Sequence, residues 1–257
     1  MASEYDDFYK ATYEGVIPVL TEFLDLRPQH YVVDIGSGTG FIGESLCKLS
    51  RLENPVWCVD PSAEMQEQAR KRKGICPIQK TAEEFFSDPK LSQYFDRVVA
   101  VLSVHHFGDL VDVYKGIIRS LRPGGIFLQL MTKKDGHPIF KTSTKVSGSY
   151  FDVVDDSQKL LKEIDRGDIR ISEHEVTFTE AMTKSKLYDS LRRRYSSELN
   201  HLTDEQIEDR VKQLEKELSK FDEHEQIIYN RLVSVTKVER KRDVNTLNCW
   251  KVWLTET

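Results

Sequence analysis

The sequence has no apolar run that approaches the roughly 20 residues a membrane-spanning helix requires. Its N-terminal stretch, MASEYDDFYK, is acidic and contains no apolar core of a secretion signal. Basic residues are not in excess either, because 37 Lys and Arg stand against 42 Asp and Glu, for a formal net charge of -5. That balance disfavours nucleic acid or an anionic membrane as a general partner. We therefore predict a cytoplasmic protein.

Cysteine is also scarce. The chain has four cysteines, and their positions show none of the spacings that hold a metal ion. We predict reduced, mostly buried thiols and no bound metal. The four are Cys47, Cys58, Cys76 and Cys249.

The first half of the chain alternates between short apolar runs and helix-like segments. The runs are rich in β-branched residues and predict buried strands, the third of them short and followed by a loop. Alternating strands and helices predict right-handed βαβ units, and hence a doubly wound α/β fold with a parallel sheet. The predicted strands lie within 31–36, 55–60, 76–86, 95–104 and 126–132, and the predicted helices at 13–26, 40–50, 62–74 and 110–121.

The second half of the chain has a different character. Residues 133–152 are rich in loop-forming residues, and residues 173–181 alternate between apolar and polar like a strand. Residues 227–238 are predicted to form a return strand, and residues 248–254 a possible last one.

Two amphipathic helices are predicted as an insertion before these final strands. The first, at 186–199, has apolar residues on one face. The second begins at a capping box formed by Thr203 and Gln206 and carries an apolar stripe from Ile207 to Phe221. The apolar face of the first helix consists of Leu187, Leu191, Tyr195 and Leu199.

The stretch VVDIGSGTG follows the first predicted strand and contains three closely spaced glycines. Glycines between a strand and a helix let the backbone approach a ligand closely. Gly38, Gly40 and Gly43 satisfy the G-x-G-x-x-G pattern that binds a dinucleotide pyrophosphate. Asp34 argues against that ligand, because a carboxylate beside the glycines would repel a pyrophosphate. It would suit a cationic or amine-bearing ligand instead.

The same stretch resembles the D-x-G-x-G-x-G cofactor loop of class I S-adenosylmethionine-dependent methyltransferases. The matching positions are Asp34, Gly36, Gly38 and Gly40, with Ser37 and Thr39 between them. The segments CVDPSAEM, TAEEF, FDRVVAVLSVHHF and LRPGGIFLQL follow in the order expected of the family, so the resemblance extends over residues 32–131.

The resemblance implies a doubly wound, mostly parallel seven-stranded sheet with an inserted helical lid. It also implies that S-adenosylmethionine is the cofactor. The chain is then predicted to be a single methyltransferase domain, 1–257, made of an N-terminal helical cap at 1–30, a cofactor-binding core at 31–135, the lid at 180–225 and C-terminal strands at 226–257.

The family's cofactor contacts map onto particular residues of this chain. Asp60 ends the second predicted strand about 20 residues after the glycines, where a carboxylate can accept both ribose hydroxyls. Asp34 is expected to act through water or loop amides toward the ammonium end of the cofactor, or simply to cap the loop. Pro61, Ser62, Met65, Ala82 and Glu83 are expected around the adenine, and Leu102 and Ser103 complete the predicted cofactor set.

The methyl acceptor is less well specified by the sequence. The fourth predicted strand is not followed by D-P-P-Y or N-P-P-Y, which disfavours the exocyclic amines of nucleic-acid bases as acceptors. It is followed by LSVHHF, which resembles the branch that methylates small molecules, including ubiquinone-type and trans-aconitate-type enzymes. Of His105 and His106, one is a candidate general base and the alternative role for each is packing.

Aromatic and basic residues supply the other acceptor-binding candidates. Tyr9 and Tyr13 lie in the predicted N-terminal helix and either wall the acceptor pocket or pack on the sheet. Arg192, Arg193 and Arg194, placed on the first inserted helix, either grip a carboxylate or phosphate or form a solvated face. The basic run at 71–73 is expected to be solvated.

Three alternatives to a small-molecule methyltransferase remain. They are a protein methyltransferase, an RNA methyltransferase, and a silent cofactor-binding scaffold that docks a partner on the stripe from Ile207 to Phe221. That stripe is also compatible with a dimer seam, so both a monomer and a homodimer are open.

Overall fold

A computed structural model of the chain describes residues 2–133, 150–195, 199 and 202–242. Seven strands form one sheet in the order β3-β2-β1-β4-β5-β7-β6. The first five strands in that order run parallel, β7 runs antiparallel to β5, and β6 runs antiparallel to β7. The strands are β1 Val32–Ile35, β2 Val56–Val59, β3 Ile75–Ile78, β4 Phe95–Val101, β5 Leu121–Thr132, β6 Ile169–Thr183 and β7 Gln226–Arg240.

Eight helices accompany the sheet in the described part of the chain. None of them is long and apolar enough to cross a membrane. They are α1 Ala2–Leu24, α2 Phe41–Ser50, α3 Ala63–Ala69, α4 Ala82–Phe86, α5 Leu110–Ser120, α6 Tyr150–Ile164, α7 Lys184–Arg192 and α8 Asp204–Glu217.

Helices cover both faces of the sheet. Neighbouring residues of each buried strand point to opposite faces, so both faces present apolar side chains that a helix can cover. On β5, Leu128 packs in one cluster with Leu20 of α1 and Leu46 of α2. Its neighbour Phe127 packs in another cluster, with Tyr114 of α5. The predicted doubly wound, mostly parallel seven-stranded fold is confirmed.

The helices α7 and α8 lie between β6 and β7, where the insertion is predicted. They share a small apolar cluster of their own, separate from the two that flank the sheet. Its buried members are Met182, Leu187, Leu191, Leu199, Ile207, Val211 and Leu214. The capping box at the start of α8 is also present, because the Thr203 and Gln206 side chains each accept from the other's backbone N–H. That these helices act as a lid stays a prediction.

Several predicted boundaries in the second half need correction. The helix predicted at 186–199 ends at Arg192, because Arg193 caps it and Arg194 adopts a left-handed conformation with φ of 50°. Tyr195 therefore lies beyond the helix. The helix α8 likewise ends before Leu218, so the stripe toward Phe221 is partly non-helical.

The first half also departs from prediction at several points. Helix α1 begins at Ala2 rather than at residue 13, and β5 begins at Leu121 rather than at residue 126. Helix α3 ends at Ala69, several residues before Gly74. The loop predicted after the third strand contains the short helix α4, started by a capping box of Thr81 and Glu84. In the second half, α6 has no predicted counterpart, and the possible strand at 248–254 lies outside the described residues.

Candidate active site

A cavity of about 930 Å³ opens beyond the carboxyl ends of β1, β2 and β4. Parallel α/β sheets bind ligands at this edge, where the loops after neighbouring strands meet. The loop after β3, the first half of α1, the β6–α7 junction and Arg231 of β7 contribute further parts of the wall. We call this space the central cavity.

Two glycines of the loop after β1 line the central cavity, and each has a separate reason to be glycine. Gly36 has a φ of +68°, and a Cβ there would lie 2.3 Å from the Cβ of Ser103. Gly38 has a φ of +54°, and a Cβ there would meet nothing within 4 Å. Gly36 thus lets two loops pack together, whereas Gly38 leaves its backbone open toward the cavity. This opening is the cradle that a closely approaching ligand requires.

The Asp60 carboxylate joins the glycine loop to the loop after β2. Its Oδ2 accepts a hydrogen bond from Gly38 N, and its Oδ1 accepts one from Ser62 N, both at 2.9 Å. A carboxylate offers about four acceptor positions, so each oxygen keeps capacity for a hydroxyl donor. Asp60 lines the cavity together with Pro61 and Met65, so the structure brings these three residues of the predicted cofactor set together.

Asp34 lies behind the glycine loop and is not part of the cavity wall. Its side chain is buried, and Oδ2 has no hydrogen-bond partner among the described residues. Burial and the nearby Asp60 charge raise the pKa of Asp34 to about 7. The remaining loop positions of the predicted cofactor set, Ser37, Thr39 and Gly40, also stand outside the wall.

The predicted adenine end lies between the loops after β3 and β4. Ala82 and Glu83 line the cavity there, as do Leu102 and Ser103. Glu83 Oε1 accepts a hydrogen bond of 2.6 Å from Gly108 N, which ties the two loops together. Ser103 Oγ donates to the Ile35 carbonyl at 2.8 Å and thereby holds the loop after β4 against β1. The sequence offered no signal for the Glu83–Gly108 contact.

His105 and His106 form a short helical turn after β4, and both line the central cavity. Their ring centroids lie 3.9 Å apart. Burial, with a further effect of His106, lowers the pKa of His105 to about 3. Burial also lowers the pKa of His106, although the Asp60 charge opposes that shift. Both imidazoles are therefore neutral near pH 7.

An aromatic row on α1 covers the cavity. The predicted acceptor residues Tyr9 and Tyr13 both line it, together with Tyr5 and Phe8. The ring centroids of Phe8 and Tyr195 lie 4.3 Å apart in a stacked arrangement, and Tyr9 Oη donates to the Tyr195 carbonyl at 2.9 Å. These contacts join α1 to the segment that follows α7.

Arg72 fastens α1 to the glycine loop. Its guanidinium pairs with Asp6 of α1 and with Glu44 of α2, the latter at 2.5 Å, and its Nε donates to the Thr39 carbonyl at 2.8 Å. The Thr39 hydroxyl in turn donates to Asp6. The prediction that the basic run at 71–73 is solvated is wrong for Arg72, whose side chain is only 16% exposed. Nothing in the local sequence distinguished it from its basic neighbours.

The three consecutive arginines point in different directions. Arg193 and Arg194 line the central cavity, whereas Arg192 does not. Arg192 donates to Glu208 of α8 through Nε at 2.8 Å and Nη2 at 3.2 Å. The structure therefore does not bring Arg192 to the predicted acceptor site, because its guanidinium ties α7 to α8 instead.

A buried ion pair that the sequence analysis missed also lines the cavity. Arg231 donates to Glu180 through Nε at 2.6 Å and Nη2 at 3.0 Å, and Tyr229 Oη donates to the same carboxylate at 2.5 Å. Glu180 lies between Phe178 and Met182 on the same face of β6. A charged residue between two apolar residues on one face of a strand is the signal that could have revealed it.

The region from 33 to 129 matches a family model described as a methyltransferase domain. A curated relative, squalene methyltransferase 1 from Botryococcus braunii, is 29% identical over 134 residues. That match takes in 51% of this chain and 35% of the relative, so the chain spans only about a third of the relative's length.

Solved structures support the same fold at low sequence identity. The YcgJ protein from Bacillus subtilis has a TM-score of 0.55 at 16% identity, with 88% of this chain and 98% of that one covered. Phosphoethanolamine N-methyltransferase 2 from Haemonchus contortus, in complex with S-adenosyl-L-methionine, has a TM-score of 0.54 at 16% identity, with 94% and 57% covered.

The sheet order, the glycine loop, the acid after β2 and the match over 33–129 together support the resemblance to class I S-adenosylmethionine-dependent methyltransferases. The resemblance found in the sequence is thereby confirmed.

Proposed function

We propose that the protein transfers a methyl group from S-adenosylmethionine to oxygen, nitrogen or sulfur of a small molecule. The observation that carries this proposal is the central cavity, which combines the glycine loop and Asp60 with a second wall from α1 and the β6–α7 junction. Pockets for one drug-sized ligand measure about 300–1,000 Å³. A cavity near the upper end of that range has room for a cofactor and a small acceptor side by side.

The chain's own residues fit the cofactor in the following roles. The open backbone at Gly38 receives the methionine portion, and Asp60 accepts the ribose hydroxyls on the lone pairs that Gly38 and Ser62 leave available. Met65, Ala82 and Glu83 border the adenine. When bound, the cofactor supplies an electrophilic methyl group on a sulfonium with a good leaving group. The protein then contributes alignment and exclusion of water.

Of the two histidines, His106 is the better candidate for a general base. A base whose pKa lies far below the working pH removes a proton inefficiently, and the pKa of His105 lies near 3. His106→Ala should lower turnover about 10²- to 10⁴-fold and leave cofactor affinity unchanged if His106 accepts the acceptor's proton. A small loss confined to acceptor affinity would assign it to alignment alone.

The enclosure of the cavity favours a small molecule over protein or RNA. Phe8 of α1 stacks on Tyr195, and Tyr9 donates to the Tyr195 carbonyl, so α1 and the segment after α7 together restrict access for a large chain. The remaining alternative, a silent scaffold, would keep the cofactor site without turnover.

The decisive experiment supplies methyl-labelled S-adenosylmethionine and a cell metabolite extract. We expect S-adenosylhomocysteine to accumulate and the label to enter a low-molecular-weight product. Glu67→Ala, on the exposed side of α3, is a control variant that should give the same product as the wild type. Label in protein or RNA would establish the competing acceptors, and cofactor binding without turnover in any extract would favour the scaffold.

A further inference from the structure

Three cationic side chains from one segment line the central cavity. They are Lys186 of α7 and, just beyond that helix, Arg193 and Arg194. We call them the lid cations.

Lys186 is a half-buried member of this group. Its Nζ donates to the Asp7 carbonyl at 2.7 Å and lies 5.8 Å from the centroid of the Phe8 ring. Within the part of the chain that the structure describes, no carboxylate forms an ion pair with it. A carbonyl and an aromatic face leave the full charge of this ammonium in place.

The two arginines have carboxylate partners, but both partners are exposed. Arg193 pairs with Glu4 at 3.1 Å, with both side chains more than half exposed. Arg194 pairs with Asp204 at 2.7 Å, and the Asp204 side chain is 94% exposed. Surface pairs of this kind contribute little, so an anion inside the cavity can compete for these guanidinium groups at small cost.

Glu180, whose carboxylate lines the cavity on this side, does not offset the charge of the lid cations. Both oxygens of Glu180 are bound by Arg231, and one of them also by Tyr229. The pair is neutral as a unit. The wall built by β6, α7 and the residues after α7 therefore presents positive charge to the cavity.

Apolar groups surround that charge. Phe8 and Tyr195 stack on each other, and Met182 and Leu199 contribute buried aliphatic surface. All four line the cavity. An apolar wall with a few convergent cations is the arrangement that binds an organic anion.

We infer that the methyl acceptor is an organic acid, with an apolar body between the aromatic and aliphatic residues and a carboxylate or phosphate group held by the lid cations. The inference rests on the proposed function, because it assigns the acceptor of that same site. It adds a substrate class and names Lys186 as the principal residue that selects for it.

Binding to the full chain saturated with S-adenosylhomocysteine tests this inference without turnover. The probes are phenylpropanoate, phenylpropanamide and phenylethyl phosphate, with decanoate, decanamide and decyl phosphate as a longer set. An acid should bind about 10- to 100-fold more tightly than the amide of the same body, because hydrogen bonds to a charged group are the stronger ones. The preference should shrink as salt is raised. The better of carboxylate and phosphate identifies the acidic group.

The variant Lys186→Gln should abolish most of the preference for acids. The matched control is Lys212→Gln, since Lys212 is an exposed lysine of α8 paired with Asp209. Amides that bind as tightly as acids, a preference that survives Lys186→Gln, or no acid binding at all would overturn the inference. A Lys186→Gln protein that loses affinity for S-adenosylhomocysteine instead would also overturn it, because the lid cations would then hold the cofactor's own carboxylate. Failure of the wild type to bind S-adenosylhomocysteine would refute the proposed function itself.

Discussion

Replacing Asp60 with alanine should weaken the binding of S-adenosylmethionine while the fold persists. Asp60 is half-buried at the cavity wall and packs in none of the apolar clusters of the core. Its two oxygens accept from Gly38 N and Ser62 N, and the proposal assigns their remaining lone pairs to the ribose hydroxyls. One hydrogen bond to a charged group is worth about 1.5–3 kcal/mol, or about 10- to 150-fold in Kd. The measured loss should be at least of that size.

The substitution has a second effect that the assay must separate from the first. Without the carboxylate, the Gly38 and Ser62 amides lose an acceptor, and a looser glycine loop would also weaken binding. A ligand cycle distinguishes the two causes. Calorimetry with S-adenosylhomocysteine and with its dideoxyribose analogue should show a large difference for the wild type and almost none for Asp60→Ala.

Two results would refute the assignment of Asp60 to the ribose. One is unchanged affinity of Asp60→Ala for S-adenosylmethionine. The other is an equal loss for both ligands of the cycle, because that pattern would place the whole effect in the loop. Glu67→Ala controls for a general loss of negative charge near α3. Tight binding of NADH to the wild type would revive the dinucleotide alternative.

Three further predictions concern anchoring, stability and pH. Asp6→Ala should detach α1 from the glycine loop, so hydrogen exchange in α1 should become faster and cofactor binding weaker. The control is Asp7→Ala, since Asp7 is exposed. Equal exchange rates in the two variants would contradict the role of Asp6 in anchoring α1. Glu180→Ala should lower the free energy of unfolding by about 3–5 kcal/mol in urea titrations, because it leaves the Arg231 charge buried without its carboxylate, and a loss below about 1 kcal/mol would contradict this. Native Asp34 binds its proton more tightly than the unfolded chain does, so its contribution to stability should fall as pH rises from about 4 toward about 7. Asp34→Asn should remove that part of the slope, and an unchanged slope would place the titration elsewhere.

The residues proposed to hold the cofactor could be selected from sequence because the features that mark them are local. Gly36, Gly38 and Asp60 each follow a short apolar strand within a few residues, and parallel strands deliver their ends to one edge of a sheet. Local apolar patterning also located the five parallel strands, β6 and β7. The helix after Thr81 was missed because it is short and follows the third strand within the same predicted loop.

Patterning was less reliable in the segment after β6. Leu187, Leu191 and Leu199 keep a helical spacing in sequence, and all three are buried in the same cluster. The helix nevertheless ends at Arg192, so Leu199 lies outside it. The helical spacing predicted which residues are buried, but it did not predict the backbone conformation in which they are buried.

The sequence by itself determined the class of this protein, because a glycine loop, an acid after the next strand and alternating strands and helices are short-range features. Tertiary structure alone decided which charges surround the central cavity. Arg72 reaches Asp6 and Arg231 reaches Glu180 across long stretches of chain, and Arg192 turns away from the cavity although Arg193 lines it. Side chains of identical type differ only in the neighbours that folding gives them, and burial next to those neighbours sets their charge, their pairing and their access to a ligand.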